Sequence, residues 1–173
     1  MKPEDRKHFA DLSEVRLMAL CIWAEARGEG MEGCIAVGSV VLNRVDFGKM
    51  DDPWGRRYGR SVHTVIMAPY QFSWLNSNDP QYKRCVEIAR DWGERDAPGM
   101  DLCMDIAEGL LDGTIKRNVS SLHYHALYVK PKWADKMVVE RTIGNHVFYL
   151  DVSMISDESN WPKYADVVLK RYK

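Results

Sequence analysis

The chain is 173 residues long with 46% hydrophobic and 10% aromatic side chains, enough for one buried core and too short for two ordinary domains. That composition excludes a disordered or fibrous protein. Twenty-four Lys and Arg against twenty-five Asp and Glu leave a formal charge of -1, so the basic surplus that duplex nucleic acid or an anionic membrane requires is missing.

The first nine residues, Met1 to Phe9, carry five charges and no apolar run, which is not the pattern of a secretory signal peptide. The longest apolar stretch, Cys34 to Leu42, falls far short of the roughly 20 residues a spanning helix needs, so a soluble chain without stable membrane insertion is expected. Asp11-Leu12-Ser13-Glu14 matches a capping box with Asp11 as the cap, and predicts a helix over about 12–27 that ends at Gly28 and Gly30. A second apolar helical run follows from Met31 to Val45, and its small residues Gly33, Ala36, Gly38 and Ser39 allow a neighbouring helix to approach closely. Residues 48–80 hold three prolines and the aromatics Trp54, Tyr58, Tyr70, Phe72 and Trp74 without sustained periodicity, and read as a long ordered loop suited to a binding wall.

Asp79-Pro80 opens a predicted helix to about Trp92, capped by Asp79. Another is expected from Met100 to Leu111, ending near Gly113, with Leu102, Ile106 and Leu110 on its buried face. The period then changes to alternation over 122–127, 137–142 and 146–149, with turn chemistry at Ile143-Gly144-Asn145-His146, so short strands and a hairpin are expected. Trp161-Pro162 opens a predicted final helix to about Tyr172. No repeat or linker interrupts the chain. The expected architecture is a single α+β domain, 1–173, dominated by helices, with a small antiparallel sheet in its C-terminal half. Cys21, Cys34, Cys85 and Cys103 form no C-x-x-C pair and are expected as buried free thiols.

One residue breaks the apolar pattern of the first helix. At about 100° per residue, Met18 lies within about 20° of Glu25, and Cys21 and Ile22 flank it. A carboxylate on that stripe either swings to solvent, pairs with Arg27, Arg44 or another cation, or is desolvated with a raised pKa and serves as a general acid. Glu29 and Glu32 lie close by across the glycine turn; Glu29 is weighed as a second carboxylate against a solvated or helix-capping role. His63, His123, His125 and His146 raise a zinc hydrolase, since His123 and His125 share one face of a strand. No H-E-x-x-H, nucleophile elbow or phosphate loop accompanies them, and no metal or other cofactor is expected.

The run Ile22-Trp23-Ala24-Glu25-Ala26-Arg27-Gly28-Glu29-Gly30, with Val41-Leu42-Asn43-Arg44-Val45, Gln71-Phe72-Ser73-Trp74, Lys132-Trp133 and Ile143 to Tyr149, resembles the SleB/CwlJ cell wall hydrolases over about 15–150. The resemblance implies a lysozyme-like catalytic domain, with 152–173 as a C-terminal extension. It implies a peptidoglycan lytic transglycosylase or glycosidase that needs no cofactor and acts on the glycan strand as a monomer. The family's catalytic glutamate falls on Glu25. Gln71, Phe72, Ser73, Trp74, His123, Tyr124, Arg44, Lys132 and Trp133 become groove candidates, with Glu29, Asn43 and His146 in support. Family members often carry Asn-Pro after an aromatic strand where this chain reads Leu122-His123-Tyr124-His125-Ala126, which weakens any role carried over to that strand. With no export signal read at its start, the implied setting is a phage endolysin, held in the host cytoplasm until a holin releases it to the periplasm and wall. A metal-dependent amidase using His123, His125 and His146, and a glycan-binding module without activity, are the competing readings.

Overall fold

The computed structural model describes residues 1–49, 58–95 and 97–151. A short 3-10 turn, Pro3–Asp5, runs into α1, Arg6–Ala10, a helix that the charged N-terminal sequence did not announce. Its Phe9 is buried edge-on against Trp74. Because α1 ends at Asp11, that residue is spent on closing one helix, and α2, Glu14–Ala26, starts from Ser13 instead. Ser13 is extended and its side chain accepts a hydrogen bond from the Arg16 amide at 3.3 Å. The Asp11 cap is thereby corrected by two residues.

The second helix, α3, is Gly30–Lys49, longer at its C-terminal end than the apolar run indicated. Its small residues do what their size permits. A Cβ placed on Gly38 would meet Leu110 at 2.5 Å and both Ile22 and Met18 at 3.1 Å, so this position sets how closely α2 and the later helix that carries Leu110 pack on α3. Within the supposed loop the chain makes α4, Val62–Ile66, closed by a reciprocal Ser61/Thr64 capping box, and a 3-10 turn at Ser73–Leu75. Val62, Val65 and Ile66 are buried, which a residue-by-residue search for long periodicity misses in so short a helix. Trp54 and the rest of 50–57 lie outside the described residues, as does the predicted helix over 161–172.

The next helix, α5, is Tyr82–Arg90. Asp79 caps the turn before it, accepting from the Gln81 amide at 2.8 Å, so the helix starts later than Asp79-Pro80 implied and ends before Trp92. The last α-helix among the described residues, α6, is Met100–Asp112 and stops at Gly113. Ile106 and Leu110 are buried as expected, but Leu102 is exposed and Cys103 takes the inward position. All four cysteines are buried and free. Among the described residues no helix is long and apolar enough to cross a membrane.

Among the described residues three strands follow: β1, His123–Ala126; β2, Val138–Ile143; and β3, His146–Leu150. They form one antiparallel sheet in the order β1-β3-β2, so β3 is central and every one of its residues is buried. The expected hairpin is present, with Gly144 at φ 53° in the turn that pairs Ile143 with His146. The alternation along β2 is broken. Val139 pairs with Tyr149 and Arg141 with Phe148, leaving Glu140 as the extra residue of a bulge. The bulge turns Glu140 inward, where its carboxylate accepts the Ser120 amide at 2.9 Å and the Ser121 hydroxyl.

Two cores result. The larger joins the helices; the smaller places Ala36 and Val40 of α3 against Val119, Ile143 and Phe148 and so seats the sheet on α3. Polar clamps reinforce that seat. The Asn43 amide donates to the Val119 and Ser121 carbonyls, each at 3.0 Å, and Arg44 Nε donates to the Leu122 carbonyl at 2.9 Å. Two consecutive residues of α3 thus fix the backbone that enters β1. The architecture is the helix-dominated α+β fold with a small C-terminal sheet that the period change predicts.

Candidate active site

A cleft of about 730 Å³ opens where the end of α2, the segment 70–81 and the sheet meet. Glu25 lies in it, in the last turn of α2, partly buried above Met18, Cys21 and Ile22. Its position on the apolar stripe is the one the helical spacing predicts. Tyr124 of β1 donates its hydroxyl proton to Glu25 Oε2 at 2.8 Å. Tyr124 cannot drift, because its ring stacks on Phe148 at 5.5 Å and meets His146 edge-on at 5.3 Å. Burial raises the Glu25 pKa; the Tyr124 hydrogen bond and the Arg44 guanidinium oppose that rise, and the charge of Asp79 adds to it. The alternatives of fraying to solvent or pairing with Arg27 do not describe this side chain.

Arg44 lines the cleft and is 6% exposed, with its guanidinium over the Phe72 ring at 5.2 Å. Gln71 and Ser73 present polar groups to the cleft, while Phe72 and Trp74 are buried and contribute to the helical core. Both also line the cleft, as expected of groove candidates, though little of either ring is open to it. The most open rings of the cleft are Tyr70 and Tyr128.

His123 and His125 both line the cleft, with Trp133 between them at 5.5 and 5.6 Å. His125 is committed on both nitrogens: Nδ1 faces the Ala126 carbonyl at 2.9 Å, so it carries the proton, and Nε2 accepts from the Tyr149 hydroxyl at 2.8 Å. His123 Nε2 shares a hydrogen bond with Tyr58 at 3.1 Å, and His63 bonds to the Leu12 carbonyl at 2.8 Å. Among the described residues no group of three or more His, Cys, Asp and Glu is arranged to hold a metal ion. His146 lines the cleft with a buried Nδ1.

Other candidates lie elsewhere. Glu29 accepts from the Asn145 amide at 2.7 Å and its side chain at 3.2 Å, tying the start of α3 to the hairpin turn, and Glu32 pairs with Arg141 at 2.8 Å. Asn43 braces the entry to β1, and Lys132 is exposed outside the cleft beside its neighbour Trp133. Tyr58 and Tyr70 line the cleft, as the aromatic loop suggests, and Asp79, Gln81, Tyr128 and Val129 line it without a site signal in the sequence. Asp79 had been absorbed by its capping signal; the others lie in turns where no periodicity discriminates.

The His123 environment predicts an acid-labile fold. Burial, with help from Arg44, holds its pKa down to about 4, although Asp151 pulls the other way. The unfolded imidazole titrates near 6.5, so between about pH 6.5 and 4 the unfolded chain takes up a proton that the folded one refuses. Stability should therefore fall across that window, by up to about 3 kcal/mol. Urea melts at pH 7 and pH 4.5 check this: His123→Gln should lose clearly less stability on acidification than the wild type.

A helix-dominated α+β domain with one desolvated carboxyl in an aromatic-walled cleft is the class that this geometry defines. A family model described as Cell Wall Hydrolase matches residues 28–149, and the chain belongs to that family, of the SleB/CwlJ type. Over 87 residues, 46% of this chain, it is 31% identical to a spore cortex-lytic enzyme of Oceanobacillus iheyensis, and the match spans 29% of that relative's length. The crystal structure of the catalytic domain of the Bacillus cereus SleB protein shares the fold, with a TM-score of 0.52 at 22% identity over 79% of this chain and 89% of that one.

Proposed function

We propose that the protein degrades peptidoglycan, cleaving the β-1,4 bond between N-acetylmuramic acid and N-acetylglucosamine by lytic transglycosylation, with Glu25 as the single acid and base. The observation that carries this reading is a carboxyl whose pKa is raised by burial and whose Oε2 is held by Tyr124, set in a cleft with room for sugar rings. Family membership supports it, as does similarity to an enzyme named for lysis of the spore cortex. With Oε2 engaged, the proton sits on Oε1 and passes to the bridging oxygen as the C1–O bond breaks. The resulting carboxylate then accepts the proton of the muramic C6 hydroxyl while that oxygen bonds to C1. A 1,6-anhydro ring closes and Glu25 is returned to its acid form. Asp79, in the same cleft, adds negative charge that favours the cationic sugar of the transition state.

Digestion of purified sacculi followed by mass spectrometry tests the proposal. Anhydro-muropeptides are the expected product; new reducing ends mean hydrolysis by the same acid, chelator-sensitive release of stem peptides means an amidase, and binding without release means a non-catalytic module. The proposal extends to lysis of a phage-infected host. Co-expression with a holin should clear a bacterial culture, and the same experiment with Glu25→Gln should not.

A further inference from the structure

The cleft carries two tyrosines whose side chains are almost wholly open, Tyr70 at 92% exposure and Tyr128 at 87%. Tyr70 is also the one non-glycine residue at positive φ among the described residues, at 64°. For an L-residue this left-handed conformation crowds Cβ against the backbone and survives only where something imposes it. Packing of the ring does not impose it, since the ring packs against almost nothing. The local backbone does: Tyr70 sits within a tight turn in which the Gln71 amide bonds back to the Ala68 carbonyl at 3.4 Å, and Phe72 then dives beneath Arg44 into the core. The left-handed residue is what lets the chain bury Phe72 and still present an aromatic ring to the cleft.

We infer that Tyr70 is a stacking platform for a pyranose ring, and that Tyr128, on the turn after β1, supplies a second one. The inference rests on the glycan-cleaving reading and names the side chains that hold the strand away from the reacting bond. A β-1,4-linked N-acetylhexosamine in its chair form carries its substituents equatorially and offers faces of axial C–H groups. Such a face covers an aromatic ring and releases the water on both. Tyrosine suits the task because fixing its two side-chain torsions costs little entropy. No charge is needed, because the face that stacks is made of C–H groups. An outward tyrosine in a conformation that glycine would adopt without strain is otherwise a cost with no return in stability.

The experiment uses soluble, peptide-free glycan strands titrated into the full chain carrying Glu25→Gln, so that binding is read without cleavage. Adding Tyr70→Gly should hold the Tm or raise it by up to roughly 4 °C, because glycine relieves the left-handed backbone. The same change should weaken strand binding about tenfold. Tyr70→Phe, which keeps the stacking face, should stay within about twofold of the parent. Unchanged affinity in Tyr70→Gly overturns the platform, and so does a Tm that falls together with affinity, since the ring would then be holding the turn. If the otherwise wild-type protein binds strands through Tyr70 but cuts none, the glycan-cleaving reading fails and the platform stands. If it cuts them with a KM that Tyr70→Gly leaves unmoved, the platform fails alone; neither binding nor cutting overturns both.

Discussion

Glu25→Gln should fold as the wild type does and lose activity on peptidoglycan by about 10²–10⁴-fold, the range that a single general acid and base supplies. Glutamine keeps the shape of the side chain and an oxygen to accept the Tyr124 hydroxyl, so the contact at 2.8 Å survives. What it removes is the proton. The stability of this variant carries its own signature. Burial raises the folded pKa of Glu25 above its unfolded value, so the folded state favours the protonated carboxyl and pays for ionising it once pH exceeds the raised pKa. Above that pH the uncharged glutamine avoids the penalty, and the Tm of Glu25→Gln should equal or exceed that of the wild type. Wild-type activity should likewise decline as pH rises through the same pKa. Glu29→Gln is the control, because Glu29 serves the hairpin turn and lies outside the cleft lining. Thermal melts and sacculus digestion across pH 5–9 check the set, and full activity in Glu25→Gln would remove the assignment.

Glu140→Ala should cost the most in stability among changes distant from the acid. The bulge in β2 delivers this carboxylate to the Ser120 amide, at 2.9 and 3.1 Å from its two oxygens, and to the Ser121 hydroxyl. Truncation leaves those donors facing a void beside the buried backbone that enters β1. Hydrogen bonds to a charged acceptor, lost with the donors left buried, amount to about 2–4 kcal/mol. For a chain of this size that lowers the Tm by roughly 5–12 °C. Activity should fall as well, since Ser121 lies two residues before His123 and three before Tyr124. Glu140→Gln retains an acceptor and the side-chain volume and should sit between the two. A Tm unchanged in Glu140→Ala would mean that Asn43 and Arg44 alone secure this segment.

The parts of the fold legible in the sequence are those governed by near neighbours. The apolar stripe of α2, the glycine stop after α6, the hairpin turn and the change of period are all local, and so is the misplacement of Glu25 on its stripe. What escaped depends on contacts far along the chain. Ser13 displaced Asp11 as a cap because α1 claimed the earlier residue. Phe72 and Trp74 line the cleft as groove residues should, and only the partners Arg44 and Phe9 reveal that both are also buried in the core. The Glu140 bulge is invisible to an alternation count, since one inserted residue makes an inward carboxylate look outward. Glu29 illustrates the same point from the other side: a glutamate near the acid reads as a second carboxylate until its partner, Asn145, is known. The family match covers 28–149 and so begins just beyond Glu25, which leaves that residue's role to the geometry.

The Tyr124–Glu25 hydrogen bond joins residues 99 apart in the chain, and the Asn145–Glu29 contact joins residues 116 apart. Both are therefore late events for a chain made from its N-terminus. When α2 and α3 have left the ribosome, the glutamate is present without the tyrosine bonded to it, and the sheet that lines part of the cleft does not yet exist. Closing loops of this length is slow compared with forming helices, so the complete cleft arrives with β3 and not with the helical core. A nascent or truncated chain that stops short of β3 holds Glu25 without the sheet that completes its cleft, so on the proposed reading synthesis itself imposes a delay before activity can appear.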